Sequence, residues 1–160
     1  RGPMVMSRPS SNRLPTGLAR YVNTPDGPDK AAALQAAEQR LQTIRADAMN
    51  EIAARIDHLG ALISSVQGGL NPEQVREVFD AANAVYSVVG TFGGEFLGRV
   101  SQSLCELLDR SIERGCWRQE AVMLHYQAMQ LTRQKHALPR AEQEQIILGL
   151  ERVKEKVLSA

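Results

Sequence analysis

The residues of this chain best suited to metal binding or nucleophilic catalysis are three histidines and two cysteines. Their spacing in the sequence limits which of these sites they could form. His58 lies beside an apolar stripe, His125 lies within a later apolar segment, and His136 lies in a predicted loop. None has a second ligand at the spacing of a metal site, and Cys105 and Cys116 lack the paired spacing of a zinc knuckle or a disulfide framework. The sequence therefore predicts no metal site and no cofactor, and it offers no base that would activate a cysteine for catalysis.

The charge balance excludes two classes of partner. Lys and Arg total 19 against 18 for Asp and Glu, a net charge of +1, so we expect no nucleic-acid partner. No apolar run approaches the about 18 residues of a membrane helix, which argues against a membrane partner. Residues 1–27 lack the apolar centre of a signal peptide, and two unpaired cysteines fit a reducing compartment, so we expect a cytoplasmic protein.

The chain changes character near residue 29. Residues 1–3 resemble the remnant of an expression tag, and residues 1–28 together are rich in proline and serine. Such a composition cannot bury a core of its own, so a flexible tail is predicted over 1–28. A helical hydrophobic period begins after it, and a single helical domain is predicted over 29–158.

One long helix is predicted from about Asp29 to about Val66. Its first half carries a heptad pattern of apolar residues, namely Leu34, Ala37, Leu41, Ile44 and Ala48. A four-residue stutter then shifts the stripe to Ile52, Ile56, Leu59, Ile63 and Val66. We expect the second stripe to pack within the domain, whereas the first is free to form a homodimer seam through Leu34, Leu41 and Ile44.

Four more helices are predicted after this one. The second begins at Asn71 and Pro72, which have the types of an N-cap and a first-turn proline, and the third ends at Gly115. The fourth is predicted from about Trp117 to about Lys135, and the fifth opens at Pro139. Because short loops make neighbouring helices antiparallel, the predicted fold is all-α, an up-and-down antiparallel four-helix bundle with an N-terminal helical extension.

The faces of these helices can also be predicted from their periodicity. In the fourth helix the residues expected to point inward are Ala121, Val122, Leu124, Ala128 and Leu131. The charged residues of the third and fifth helices are expected on solvated faces, and they include Glu106, Asp109, Arg110, Glu151, Arg152 and Lys154.

The most informative segment lies between the second and third helices, where the chain reads Gly90-Thr91-Phe92-Gly93 within residues 82–97. This segment resembles the phosphoacceptor hairpin of histidine phosphotransfer (HPt) domains, which typically read Ala-His-x-Leu-Lys-Gly-x-x-x-x-Phe-Gly before an amphipathic helix. The resemblance extends over about residues 72–114 and implies a four-helix bundle. A turn is predicted over residues 90–94, and Gly90, Gly93 and Gly94 would also make such a turn in a bundle unrelated to phosphorelays.

The chain departs from this family at its reacting positions. The phosphorylated histidine of the family falls on Asn83, its lysine on Tyr86 and the following glycine on Ser87. An amide nitrogen is not basic, a phenol supplies no positive charge, and serine adds bulk where glycine allows closest approach. The resemblance therefore implies a domain that no longer transfers phosphate at this site.

Three functions remain open from the sequence. The first is a non-catalytic, HPt-like binding module, a pseudo-phosphotransferase that docks a response-regulator receiver or histidine-kinase domain and modulates two-component signalling. Its docking surface is predicted at Asn83, Tyr86, Ser87 and Gly90. The second is a genuine phosphotransfer protein with a displaced acceptor, His58 or His125, if either faces solvent. The third is a dimeric helical adaptor unrelated to phosphorelays.

Overall fold

The computed structural model describes residues 29–66, 71–134 and 136–160, so the tail predicted over 1–28 lies outside the described residues. Within them, all regular secondary structure is helical, which confirms the all-α class for this part of the chain. The helices are α1 (Lys30–Ser65), α2 (Pro72–Phe92), α3 (Gly94–Arg114), α4 (Gln119–Leu131) and α5 (Arg140–Ser159). None of the helices described here combines the length and the apolar content needed to cross a membrane.

The chain divides into two units, and the boundary between them falls within α1. The first unit ends at Leu41, and its described residues, 29–41, are all exposed. The second unit is Gln42–Ala160, and the core belongs to it.

The core of the second unit is built from one apolar stripe on each helix. The stripe predicted for the second half of α1 is confirmed, because Ile52, Ile56, Leu59, Ile63 and Val66 are all buried. Helix α3 contacts α2, α4 and α5, and α4 also contacts α5. The central place of α3 follows from its long buried face, which includes Leu97, Val100, Leu104, Leu107 and Leu108.

The predicted helix ends are confirmed where a side chain or a glycine fixes them. The Asn71 side chain accepts a hydrogen bond from the backbone nitrogen of Glu73 at 3.0 Å, and Pro72 occupies the first helical position. This cap satisfies one of the donors that every helix start leaves free. Gly115 ends α3 with φ 62°, a left-handed conformation that favours glycine.

The turn expected over residues 90–94 is shorter in the structure. Helix α2 runs to Phe92, so Gly90 is helical and Gly93 alone separates α2 from α3. The backbone nitrogen of Gly93 donates to the Val89 carbonyl at 2.8 Å, and Gly94 has φ 80°. A glycine at positive φ changes the chain direction within one residue, which makes the longer turn unnecessary.

Two predictions about helix faces are wrong. Leu124 was expected to point inward, but it is 45 % exposed. The inward position belongs to His125, because Ala121, His125 and Ala128 follow the four-and-three spacing of a buried stripe. Lys154 was expected on a solvated face, but it is only 8 % exposed. Its long side chain lies between two carboxylates, which stabilise a lysine at this depth.

Helices α1 and α4 meet closely at a glycine. A Cβ atom added to Gly60 would lie 2.2 Å from the hydroxyl oxygen of Tyr126 and 2.4 Å from its Cζ atom. The same hydroxyl accepts a hydrogen bond from the Gln130 side chain. The Tyr126 ring therefore occupies the space that a side chain at position 60 would need.

Candidate functional site

An open groove lies at the end of α2 and the start of α3, with a volume of about 740 Å³. The α2 side contributes Tyr86, Ser87 and Gly90, and the α3 side includes Glu95. Arg45 of α1 completes the wall. Three of the four residues predicted as a docking surface therefore border one groove.

The fourth predicted residue, Asn83, is exposed but does not line the groove. It lies four residues before Ser87 and seven before Gly90, a spacing that puts all three on one face of α2. The structure therefore leaves Asn83 beside the groove, on the same exposed helix face.

The α2 wall of the groove is held by hydrogen bonds to one backbone oxygen. The Ser87 hydroxyl donates to the Ala84 carbonyl at 2.9 Å, and Nη1 of Arg55 donates to the same oxygen at 3.0 Å. Arg55 is itself fixed by an ion pair with Glu51 at 2.6 Å. Ser87 is engaged with its own helix, whereas Tyr86 is a large side chain of this wall that is 43 % exposed. Val89, Thr91 and Phe92 line the same wall.

Arg45 supplies the groove with a positive charge that the resemblance did not place there. Among the described residues it forms no ion pair, and neither does Glu95 on the opposite wall. The sequence holds a weak signal for Arg45, because it lies seven residues before Ile52 and so shares the face of α1 that enters the core. The groove combines an aromatic ring, a cation and a carboxylate.

Among its lining residues the groove shows no serine–base pair. No histidine or cysteine is among its lining residues, and the Ser87 hydroxyl donates to a carbonyl rather than to a base. Nucleophilic catalysis by serine needs a neighbouring base within hydrogen-bonding distance.

Comparison with protein-family models, curated proteins and solved structures finds no significant match to this chain.

His125 is buried away from the groove and is engaged at both ring nitrogens. Its Nδ1 lies 2.8 Å from the Ala121 carbonyl oxygen, and its Nε2 lies 3.0 Å from the Ser103 hydroxyl. A carbonyl only accepts, so Nδ1 carries the proton of the neutral ring and Nε2 accepts from Ser103. Both side chains are buried, so His125 does not meet the condition of facing solvent, and the Ser103–His125 pair cannot be reached by a substrate.

A charged cluster on α3 and α5 lies near His125. Nζ of Lys154 is 2.5 Å from Glu106 and 2.8 Å from Glu151. Burial alone would lower the pKa of Lys154, but hydrogen bonds to the two carboxylates outweigh it and raise this pKa. Sequence periodicity missed this cluster because charged residues at helical spacing usually indicate a solvated face.

The remaining reactive side chains lie outside the lining of the groove. Burial raises the pKa of the Cys105 thiol to about 11, and the charge of Glu106 adds to this, so the thiol stays protonated at neutral pH. His58 and His136 are exposed. In the described part of the chain, no cluster of three or more histidine, cysteine or acidic side chains is placed to hold a metal ion.

Proposed function

We propose that this chain is a non-catalytic, HPt-like binding module that docks a response-regulator receiver domain, or the related surface of a histidine kinase, and modulates two-component signalling in the cytoplasm. The observation that carries the proposal is the groove at the α2–α3 hairpin, where Tyr86, Ser87 and Gly90 lie together and the lining residues include no histidine.

The proposed fold is an up-and-down antiparallel four-helix bundle with an N-terminal helical extension. Single-residue reversal at Gly93 supports an antiparallel α2–α3 pair, and the contacts of α3 with α4 and α5 support a bundle around it. In such a bundle the hairpin tip and the flanking face of α2 form an accessible surface, as the HPt resemblance requires of a docking site.

The chemistry of the groove suits a protein partner. Tyr86 offers a large, half-exposed ring at low entropic cost, and tyrosine and arginine are enriched among the residues that dominate binding energy at interfaces. Arg45 has no carboxylate partner in the described residues, so it is available to an acidic group of the docked domain. The HPt resemblance implies that this surface docks a receiver domain, which is the partner we favour.

We expect Tyr86→Ala to weaken receiver binding by about tenfold to a hundredfold, because it removes an aromatic anchor from the interface. The measurement is titration calorimetry of the purified chain against a panel of purified receiver domains from the same genome. Leu124→Ala is the matched control, since Leu124 is exposed to nearly the same extent, 45 % against 43 %, but lies outside the groove.

Circular dichroism of both variants should equal that of the unmodified chain, because both positions are exposed. Binding to no receiver in the panel would count against the proposal. Equal loss of affinity in the two variants, or no loss at Tyr86, would show that the partner docks elsewhere.

One observation supports a phosphotransfer function with a displaced acceptor, namely that the imidazole of His58 on α1 is exposed. An exposed imidazole can act as a nucleophile toward a phosphorylated receiver, whereas His125 cannot be reached. His58 lies outside the groove, so this function would use another face of the chain.

Incubation with a receiver carrying labelled phosphate distinguishes this second function. If His58 is the acceptor, the chain should acquire an acid-labile, alkali-stable label that His58→Gln abolishes and His136→Gln, at a second exposed histidine, leaves intact. Absence of label on the unmodified chain would exclude transfer to His58.

A further inference from the structure

A row of exposed apolar side chains follows one face of α1. Leu34 is 56 % exposed, Leu41 is 64 % exposed and Ile44 is 51 % exposed. With Ala37 and Ala48 they occupy the a and d positions of a heptad, the pattern by which one helix packs along another. Large apolar side chains in regular register and in contact with water indicate an interaction surface.

We infer that this face of α1 binds the same face of a second copy of this chain, as an antiparallel two-helix coiled coil with Leu41 of one copy opposite Ile44 of the other. The flanking charges carry the argument, because these positions set the orientation and partner of a coiled coil. They are Glu38 and Arg45 at e, and Arg40 and Asp47 at g.

These four flanking charges are exposed and form no ion pair among the described residues. They are therefore available to a second helix. The signs alternate along each edge of the seam, with Glu38 before Arg45 on one edge and Arg40 before Asp47 on the other. This alternation allows each possible arrangement of two copies to be tested for charge complementarity.

A parallel dimer in register is disfavoured by these charges. In that arrangement a g residue faces the e residue five positions later on the other copy. Arg40 would therefore face Arg45 of the second copy, and these two positive charges repel each other. Symmetry repeats the contact, because Arg45 of the first copy also faces Arg40 of the second. Glu38 would face Ala33, which offers no charge. The parallel arrangement contains two like-charge contacts and no opposite-charge contact.

In an antiparallel pair, e residues face e residues and g residues face g residues. With Leu41 opposite Ile44 of the second copy, Glu38 faces Arg45 and Arg40 faces Asp47. Each contact occurs twice because the interface is isologous, which gives four opposite-charge contacts. The same register places Ala37 opposite Ala48, where small residues let the two backbones approach closely. It leaves Leu34 opposite Glu51 at each end of the seam.

The neighbouring antiparallel registers lack this match. Sliding one copy so that Leu41 lies opposite Ala37 brings Leu34 opposite Ile44, but it sets Glu38 against Glu38 and Arg40 against Arg40. Sliding it the other way, with Ile44 opposite Ala48, brings Arg45 against Arg45 and Asp47 against Asp47. Among these registers, charge selects the one that pairs Leu41 with Ile44.

Charge reversal on the full chain tests both association and orientation. We expect the unmodified chain to dimerise reversibly in sedimentation equilibrium at low salt, and Glu38→Arg and Arg45→Glu each to raise the dissociation constant about tenfold, since each turns two attractive contacts into repulsive ones. The double variant should return to within about threefold of the unmodified chain. Gln35→Arg and Gln42→Glu, at b positions away from the seam, are the matched controls and should change little.

A monomer at all concentrations would overturn the inference. So would tighter association of Arg45→Glu, which is the result expected of a parallel dimer because it removes the Arg40–Arg45 repulsion. A double variant no better than the single variants would also overturn it. Glu38 and Tyr86 separate this result from receiver docking, because Glu38 does not line the groove and Tyr86 is not on the seam. Arg45 belongs to both surfaces, so Arg45→Glu tests association only in combination with Glu38→Arg.

Discussion

Truncation of Leu104 to alanine is expected to lower the free energy of unfolding by about 2–5 kcal/mol. Leu104 lies on α3, the helix that contacts α2, α4 and α5, and its side chain is fully buried. Removing its three outer carbons loses the transfer free energy of those atoms and leaves a cavity that four helices cannot close without moving together. Urea unfolding monitored by far-ultraviolet circular dichroism measures the change.

Leu148→Ala makes the same chemical change on α5, where the side chain is 55 % exposed. Its effect should stay within about 0.5 kcal/mol, because alanine and leucine have similar helix propensities and no cavity forms. Similar losses in the two variants would contradict the placement of α3 at the centre of the core.

Acidification should destabilise the domain through His125. Burial lowers the pKa of this histidine from its ordinary value of 6.5, and the positive charge of Lys154 acts in the same direction. Below about pH 6.5 the unfolded chain binds a proton that the folded chain does not, so the unfolded state gains stability as the pH falls. The free energy of unfolding should drop by about 1.4 kcal/mol per pH unit until the pH reaches the lowered pKa of the folded state.

The pH effect can be assigned to His125 by comparing two variants between pH 7 and pH 5. This pH window lies above the pKa of Glu151. Partial burial would raise that pKa, but the hydrogen bond from Lys154 holds it below its ordinary value of 4.5. His125→Gln should be less stable at neutral pH but should show a flatter pH profile. His58→Gln removes an exposed imidazole and should keep the full slope. An unchanged slope in His125→Gln would show that another group binds the proton.

The helices could be predicted from sequence where local chemistry decides their ends. Asn71 with Pro72 marks the start of α2, and Gly115 marks the end of α3, because capping and left-handed backbone depend on a few neighbouring residues. The stutter in α1 likewise separates the exposed heptad from the buried stripe that begins at Ile52. The predicted turn after α2 is longer than the observed one, because glycine permits a turn without requiring one. Gly90 remains part of the helix.

The candidate site could be predicted only in part. Tyr86, Ser87 and Gly90 are close in sequence and share a helix face, so their proximity follows from helical geometry. Arg45 reaches the groove from another helix, and its spacing of seven residues before Ile52 is only a weak signal of that approach. Lys154 was placed on the surface for a similar reason, since its burial depends on Glu106 of α3, far away in the sequence.

The contact between Gly60 and Tyr126 couples two positions of the sequence. A side chain at position 60 would meet the outer end of the Tyr126 ring, so the ring would have to move aside or be lost. A smaller residue at position 126 leaves glycine at position 60 undisturbed. In descendants of this chain the two positions should covary, with glycine at 60 most frequent where 126 is aromatic.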